Sequence, residues 1–403
     1  MGAQPSLPGS AAILGCMFKK YFGATWERSH PWLHAVGDIM QARVLILKKF
    51  GEPLELTKID LPEPSEGEVL AKINAAGICG SDLHIRQGKD PRTPLPIILG
   101  HEGVGEAAEV GEGAVDADGF PLTPGDPIVW ERSLTCGKCY FCTKNEEYLC
   151  PNRKVYGINI GCADAPQPSG NYADHILLRK GTRIYPMAPR EDPASLVAAT
   201  CSGATAAHAH ERAGILPGDT VVIYGAGPVA IFQAAFAKRE GAAHIIAITN
   251  HRGPKAALIA KFGVQAVLIR TDTNEDDRRK KIMDITKEIG ADVVIDTTSD
   301  PSVFHEAVQL TRRGGTYVNP GAAVPAEKIP VEFYSDIVNR CLTIRGVWAG
   351  DASHLDMALE LMRYSGFPFH EMVTHKFPLE EHEKAFNVFK KKEGIKIVFT
   401  PWD

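Results

Sequence analysis

The order of apolar and polar residues divides the chain into two kinds of region. From residue 42 to about 185, short apolar runs are separated by Gly and Pro, a pattern typical of strands joined by long loops. The predicted strands cover residues 44–47, 69–73, 103–110, 127–131 and 172–178. This region is therefore predicted to be all-β and barrel-like, with its functional groups in the loops.

From about residue 192 the period changes, and helix-length segments alternate with short apolar runs. One helix is predicted over residues 194–213. Six strands are predicted at 221–224, 245–249, 266–269, 293–297, 316–319 and 342–347. The alternation indicates βαβ units, and six strands suit a doubly wound, dinucleotide-binding sheet. The last fifty residues are predicted to form helices and a closing strand at 396–400.

The first forty residues differ from both regions. They combine Pro, Gly, Ser and aromatic residues without a steady period, and they lack the pattern of a secretory signal. We expect a poorly ordered N-terminal extension over residues 1–40, followed by the folded chain.

Composition excludes several classes of function. The 403 residues contain 44 Lys and Arg against 49 Asp and Glu, a formal net charge of −5, and no basic block exceeds the four residues 278–281. Nucleic acid is therefore not an expected partner. No run of 18 apolar residues offers a membrane span, and nine cysteines are too few for a disulfide scaffold. We expect a protein of the reducing cytoplasm.

A glycine-rich turn joins the first strand of the second region to a helix. Its residues are Gly225, Ala226, Gly227, Pro228, Val229 and Ala230. Gly225 permits a tight turn, Gly227 lets a pyrophosphate approach the backbone, and the helix that starts at Pro228 and Val229 offers free N–H groups. An ordinary strand-to-helix turn is the alternative, but the five strands that follow favour dinucleotide binding.

The end of the second strand of this region bears on which cofactor binds. Thr249, Asn250, His251 and Arg252 stand where a carboxylate would bind a ribose 2′-hydroxyl group, and none of them is acidic. A guanidinium group can bind a 2′-phosphate that an acid would repel. NADP(H) is therefore favoured over NAD(H), and a solvated loop arginine is the alternative interpretation of Arg252.

Four cysteines, Cys136, Cys139, Cys142 and Cys150, lie within fifteen residues. This spacing can close tetrahedrally around one zinc ion, and four thiolates leave no open position for substrate. The prediction is a structural zinc site. An iron–sulfur cluster and disulfides are the alternatives.

Two further glycine-rich loops, at residues 77–84 and 100–105, carry Cys79, His101 and Glu102. Together with the four-cysteine lobe and the glycine turn, in this order, they resemble the zinc-dependent medium-chain alcohol dehydrogenases. The resemblance extends from about residue 41 to the C-terminus and is specific for the superfamily rather than for a substrate.

The resemblance implies that Cys79, His101 and Cys201 hold a second, catalytic zinc ion, with Glu102 as a neighbouring group that can enter the coordination sphere. Two thiolates and one imidazole also fit this chemistry independently, because they leave a fourth position for an alcohol or carbonyl oxygen. The chain would then bind two zinc ions.

The same resemblance assigns roles in proton transfer and cofactor binding. Ser81 matches a hydroxyl relay and His84 the terminal base, while Asp82 matches an acid that orients His101. Lys396, in the closing strand, matches a basic position at the cofactor pyrophosphate. Zinc would lower the pKa of an alcohol, and the nicotinamide would accept a hydride.

The resemblance also implies a domain division. Residues 41–202 and 350–403 would form a GroES-like β-barrel catalytic domain, and residues 203–349 a Rossmann domain. Relatives form dimers or tetramers, and the strand near residues 342–348 is the candidate edge.

The predicted function is interconversion of an alcohol and an aldehyde or ketone. The alternatives are a biosynthetic NADPH-dependent carbonyl or iminium reductase and a non-catalytic cofactor-binding protein. Glu131 and Arg132, in a segment near the substrate pocket of relatives, suggest a polar or charged substrate.

Overall fold

A computed structural model describes residues 40–164, 167–322, 325 and 328–403. The predicted extension lies outside the described residues apart from Met40, so its expected lack of order stays a prediction. None of the described helices is both long enough and apolar enough to cross a membrane.

Short strands separated by long loops form the first part of the described chain, as its pattern predicted. They are β1 (Gln41–Leu47), β2 (Glu55–Asp60), β3 (Val69–Gly77), β4 (Ile97–Ile98), β5 (Gly103–Val110), β6 (Pro127–Trp130), β7 (Ser133–Leu134), β8 (Lys154–Val155), β9 (His175–Leu178) and β10 (Ile184–Pro186). The predicted segment 172–178 becomes a strand only from His175, and β2 was missed because its polar residues give no apolar run.

The second part alternates strands and helices. Its strands are β11 (Thr220–Tyr224), β12 (His244–Thr249), β13 (Ala266–Ile269), β14 (Ala291–Asp296), β15 (Thr311–Asn319) and β16 (Thr343–Gly346). Among the described residues they form one sheet in the order β13-β12-β11-β14-β15-β16, and every neighbouring pair is parallel. The predicted doubly wound sheet is confirmed. The strand order reverses beside β11, where such sheets have the crevice that binds ligands.

The C-terminal strands return to the first part of the chain. Strands β17 (Val373–Phe377) and β18 (Lys396–Phe399) follow the second part, and β18 pairs with β3. The described strands of this sheet run in the order β10-β6-β5-β3-β18-β17, and β9 also pairs with β3. Two smaller sheets, β2-β1-β4 and β7-β8, complete the first part. The whole is a mixed α/β fold with a GroES-like part and a Rossmann-like sheet.

The helices mostly cover the parallel sheet and the junction between the two parts. Those described are α1 (Gly80–Arg86), α2 (Pro193–Leu196), α3 (Ser202–Ala213), α4 (Pro228–Arg239), α5 (Pro254–Ala260), α6 (Glu275–Thr286), α7 (Val303–Leu310), α8 (Ala352–Tyr364) and α9 (His382–Lys390). Phe232 of α4 is fully buried and packs against Phe369, with Gly203 of α3 leaving room for its ring. This apolar contact ties α3 to the Rossmann-like part.

The single helix predicted over residues 194–213 is wrong. The segment consists of α2, a 3₁₀ turn at Val197–Thr200 and α3, and the backbone of Cys201 between them is not helical (φ −132°, ψ −65°). The apolar periodicity continues through the break, which is why the sequence did not reveal it. The break places the Cys201 thiol beside the loops described next.

Candidate active site

Three separate loops bring four metal-ligating side chains together. Cys79 caps the N-terminus of α1, His101 and Glu102 lie between β4 and β5, and Cys201 lies at the helix break. Their ligand atoms all lie within 4.8 Å of one another. This is the set that the family resemblance implied for a catalytic zinc, and two thiols, an imidazole and a carboxylate suit that ion.

Asp82 holds two members of this set in place. One of its oxygen atoms accepts a hydrogen bond from His101 Nδ1 at 3.0 Å. The other accepts from the backbone N–H of Cys79 and from the Tyr172 hydroxyl group, both at 2.8 Å. Because Nδ1 is occupied, His101 presents Nε2 as its free ligand atom. The contact with His101 is the one that the resemblance implied for Asp82, and its role in the reaction stays a prediction.

Glu102 is buried beside Lys396, the residue that the resemblance assigned to the cofactor pyrophosphate. The Lys396 ammonium group is almost completely buried and pairs with Glu102 Oε2, while Oε1 accepts no hydrogen bond from the described residues. A buried carboxylate oxygen without a donor suits a metal ligand. Gly77 makes the room, since a Cβ there would lie 2.1 Å from Glu102 Oε2. Contact of Lys396 with pyrophosphate stays a prediction.

Buried charges shift the pKa values of this cluster. Burial alone would lower the pKa of His101, but the carboxylate of Asp82 raises it to about 10. A hydrogen bond from Cys201 lowers the pKa of the Cys79 thiol well below its usual range, and the same contact together with burial raises the pKa of Cys201. A metal cation held by the two sulfur atoms would displace any proton that they carry.

The two residues expected to move a proton lie on α1. The Ser81 hydroxyl group is 3.3 Å from Cys79 Sγ and 3.4 Å from His101 Nε2, so it lies at the metal set. His84 follows one helical turn later, and its Nδ1 is buried without a hydrogen-bond partner among the described residues. Burial, followed by the charge of Lys89, lowers the pKa of His84, so its ring is neutral at pH 7.

The four lobe cysteines form a second cluster. Pairing of β7 with β8 closes the lobe, and all four Sγ atoms lie within 4.8 Å of one another. The Cys139–Cys142 and Cys150–Cys136 sulfur atoms are 3.5 and 3.6 Å apart. A tetrahedral zinc with four thiolates has sulfur–sulfur edges of about 3.8 Å.

The alternatives for this lobe fit less well. A disulfide requires a sulfur–sulfur distance of about 2.05 Å, so the cysteines are not paired. The compact set suits one ion rather than several iron atoms. The backbone N–H of Lys138 lowers the pKa of Cys136 to about 6, which helps to provide a thiolate, while burial raises the pKa of Cys142 to about 12.

The glycine turn has the shape that a pyrophosphate site needs. Gly225 has φ +116°, and a Cβ there would lie 2.3 Å from Thr297 Oγ1, so only glycine fits. Gly227 faces open space. It precedes Pro228 and Val229 at the start of α4, whose first N–H groups have no side-chain cap. These groups remain free for a phosphate.

The residues at the end of β12 include cationic groups that favour binding of a 2′-phosphate and a carboxylate that competes with the phosphate for one of them. Arg252 pairs with Asp272 through its guanidinium group, and Thr249 is buried and accepts a hydrogen bond from the backbone of His251. The Asn250 side chain makes no hydrogen bond to any of the described residues. Burial lowers the pKa of His251, and the charges of two lysines, Lys255 and Lys392, lower it further. Those two lysines were missed because they lie in later elements.

Arg132 is the least expected neighbour of the metal set. It is almost completely buried and donates a hydrogen bond of 2.6 Å from Nη1 to Cys201 Sγ. The only sequence signal was a charged pair directly after a buried strand. Glu131, the other member of that pair, lies within 3.6 Å of Arg153.

Two family models match the chain, one in the barrel-like part and one in the part with the parallel sheet. The model of the alcohol dehydrogenase GroES-like domain matches residues 65–189, and that of the zinc-binding dehydrogenase matches residues 228–363. A sorbitol dehydrogenase of Halalkalibacterium halodurans is 30% identical over 346 residues, which cover 85% of this chain and 94% of that one. The chain belongs to the zinc-containing medium-chain alcohol dehydrogenase family.

Two further relatives agree with this family membership. The 5-exo-hydroxycamphor dehydrogenase of Pseudomonas putida is 29% identical over 352 residues, covering 86% of this chain and 95% of that one. The crystal structure of an alcohol dehydrogenase from Thermotoga maritima has a TM-score of 0.86 and 40% identity, covering 90% and 99%. This medium-chain dehydrogenase is thus an NAD(P)-dependent zinc enzyme that acts on CH–OH groups.

Removal of one lobe cysteine tests the structural site of this dehydrogenase. We expect Cys139→Ser to lower the zinc content from two ions to one per chain and the Tm by roughly 5–10 °C, because a structural metal stabilises the folded state. Elemental analysis and thermal unfolding measure both. Cys341→Ser, at an exposed cysteine outside both clusters, is the control. Unchanged zinc content in Cys139→Ser would contradict the assignment.

Proposed function

We propose that this enzyme interconverts an alcohol and an aldehyde or ketone at the cluster of Cys79, His101, Glu102 and Cys201, with NADP(H) as the preferred cofactor. One observation carries the proposal: this cluster pairs an open-type ligand set with a hydroxyl group, that of Ser81, at 3.3 and 3.4 Å from two of its members. A bound zinc ion supplies Lewis acidity that lowers the pKa of an alcohol, and a bound nicotinamide accepts a hydride.

The chain's own residues would then carry the proton away. Ser81 Oγ, which lies at the metal set, would take the proton of a substrate hydroxyl group. His84, one turn further along α1, is neutral at pH 7 and would receive the proton by way of the cofactor ribose. Asp82 keeps His101 and Cys79 fixed throughout, because it bonds to both.

Charge at the end of β12 supports the preference for NADP(H). Arg252, Lys255 and Lys392 provide three cations near His251, and Asp272 provides one opposing carboxylate. Burial and the charge of Lys392 lower the pKa of Lys255, and among the described residues neither lysine pairs with a carboxylate that would serve as its counter-charge. A 2′-phosphate would supply it.

We also propose that the enzyme is a homodimer or homotetramer of the reducing cytoplasm. Strand β16 is the outer strand of the parallel sheet, and the side chains of Ile344 and Trp348 on and beside it are exposed. An exposed strand edge with apolar side chains favours pairing with another copy.

Removal of a catalytic-site ligand tests the proposed reaction. We expect the wild type to form NADPH from NADP⁺ with alcohols, and Cys79→Ala to lower kcat/KM roughly a thousandfold or more, because several kcal/mol of transition-state stabilisation is lost. Absorbance at the NADPH band gives the rates. Elemental analysis should find one zinc ion left in the variant.

Cys162→Ala is the matched control, since Cys162 lies outside both clusters. It should keep both zinc ions and wild-type rates. If Cys79→Ala retained the second zinc ion and the activity, the reaction would not take place at this cluster.

The cofactor preference has its own test. We expect Arg252→Ala combined with Lys255→Ala to weaken NADPH binding roughly tenfold or more, because two cations facing the phosphate are lost, and to change NADH binding little. Fluorescence titration gives both Kd values. Lys261→Ala, at an exposed lysine paired with Glu371, is the control. Equal weakening of both cofactors would contradict the assignment.

A further inference from the structure

Arg132 carries a positive charge into the protein interior, where charged side chains are rare. It lies between β6 and β7, is 6% exposed, and donates a 2.6 Å hydrogen bond to Cys201 Sγ. Cys201 belongs to the catalytic ligand set, so the guanidinium group is one hydrogen bond away from that set. Burial of a charge is strongly unfavourable without a partner, and exceptions concentrate at functional sites.

Among the described residues, no carboxylate group pairs directly with Arg132, although Glu131 and Glu102 help to raise its pKa through space. Among the described residues, the Arg132 guanidinium makes no ion pair and has no second hydrogen-bond acceptor. Its neighbour Glu131 is engaged elsewhere, since it accepts a 2.6 Å hydrogen bond from Ser133 Oγ and lies 3.6 Å from Arg153 Nη2. Glu131 is therefore within ion-pair distance of Arg153 and acts on Arg132 only through space.

A second buried cation makes the imbalance larger. Burial, followed by the charge of Arg132, lowers the pKa of Arg153 to about 10. The two buried guanidinium groups thus repel each other, and the carboxylates of Glu131 and Asp351 offset part of this effect at Arg153. An added anion beside Arg132 would relieve this repulsion.

Metal binding would weaken the hydrogen bond from Arg132 to Cys201, the one hydrogen bond that its guanidinium group makes among the described residues. A thiolate that donates its electrons to a zinc ion is a poorer counter-charge for a guanidinium group. A guanidinium group has five N–H donors, so about four stay without an acceptor once Cys201 has used one. The loaded site would therefore present a fork of N–H donors without an anion.

We propose that Arg132 binds an oxyanion of the substrate, a carboxylate or a phosphate ester, carried one or two carbon atoms from the reacting hydroxyl group. The preferred substrates are then hydroxy acids or hydroxyalkyl phosphates rather than neutral alcohols. This inference rests on the proposed function, because the hydroxyl group must lie at the catalytic ligand set for the oxyanion to reach the guanidinium fork.

The reaction itself is unchanged by this contact. In oxidation, the C–H bond of the carbinol carbon breaks and the hydrogen leaves with both electrons as hydride, which reduces NADP⁺ to NADPH. The O–H bond also breaks, its proton leaves through Ser81, and the carbon is oxidised to a carbonyl carbon. Arg132 takes part in neither bond change and is a specificity-determining residue.

Matched substrate pairs test the proposal. Lactate is compared with 1,2-propanediol and 3-hydroxybutyrate with 1,3-butanediol; in each pair a hydroxymethyl group replaces the carboxylate. Glycerol 1-phosphate is compared with glycerol, which lacks the phosphate. We expect wild-type kcat/KM to favour an anionic member at least about tenfold, and Arg132→Gln to lower that ratio about 10- to 100-fold. The pair that responds identifies a carboxylate or a phosphate as the anion.

Two further variants separate recognition from folding. Arg132→Lys keeps the charge but not the fork and should give an intermediate ratio. Arg183→Gln, at an exposed arginine whose carbonyl oxygen accepts from the backbone N–H of Glu131, should leave the ratio unchanged. Zinc content should stay at two ions per chain in all variants. An equal loss for both members of each pair, or loss of zinc in Arg132→Gln, would show that Arg132 serves Cys201 and would overturn the proposal.

A binding measurement makes the outcome independent of turnover. Calorimetric titration of the zinc-loaded protein with NADPH bound should detect lactate, 3-hydroxybutyrate or glycerol 1-phosphate in the wild type and not in Arg132→Gln. Oxidation of the neutral alcohols at rates equal to the acids would overturn this proposal alone. Absence of hydride transfer from every compound would refute the proposed function, and absence of anion binding would then overturn this proposal as well.

Discussion

The cluster proposed as the catalytic site depends on one buried carboxylate. Asp82 is fully buried and bonds to the His101 ring, the Cys79 backbone and the Tyr172 hydroxyl group. These contacts come from α1, from the loop before β5 and from the segment before β9, so a single side chain sets the relative position of three loops. Without it, two ligands of the set would have no fixed orientation, because each lies in a loop rather than within a strand or helix.

The surrounding charges follow from the same burial. Carboxylates and thiolates in a small volume require cations. Lys396 of β18 pairs with Glu102, and Arg132, in the segment after β6, donates one hydrogen bond to Cys201 and keeps other N–H groups without an acceptor among the described residues. Gly77 leaves the space that Glu102 occupies. The break before α3 supplies the last thiol, so the barrel-like part and the first helix of the other part meet at this point. The site is thus built where the two parts of the chain join.

Much of this could be predicted from the sequence. The period change near residue 192 indicated the parallel sheet, and the spacing from Cys136 to Cys150 indicated the lobe, because both signals are local. Three features could not be predicted in this way. The apolar periodicity continues through the break at Cys201, so the sequence gives no sign of it. The pairing of Lys396 with Glu102 joins segments that lie far apart in the sequence. The contact of Arg132 with Cys201 depends on the direction of the side chain after β6.

Zinc K-edge absorption spectroscopy of the purified protein tests the central claim most directly, because it counts the atoms bound to the metal. One site with four thiolates and one with two thiolates give an average of three sulfur ligands per zinc. We therefore predict two zinc ions per chain, with about three sulfur and one or two nitrogen or oxygen neighbours each on average. A single zinc ion with four sulfur neighbours would contradict the account, since only the lobe would then hold metal.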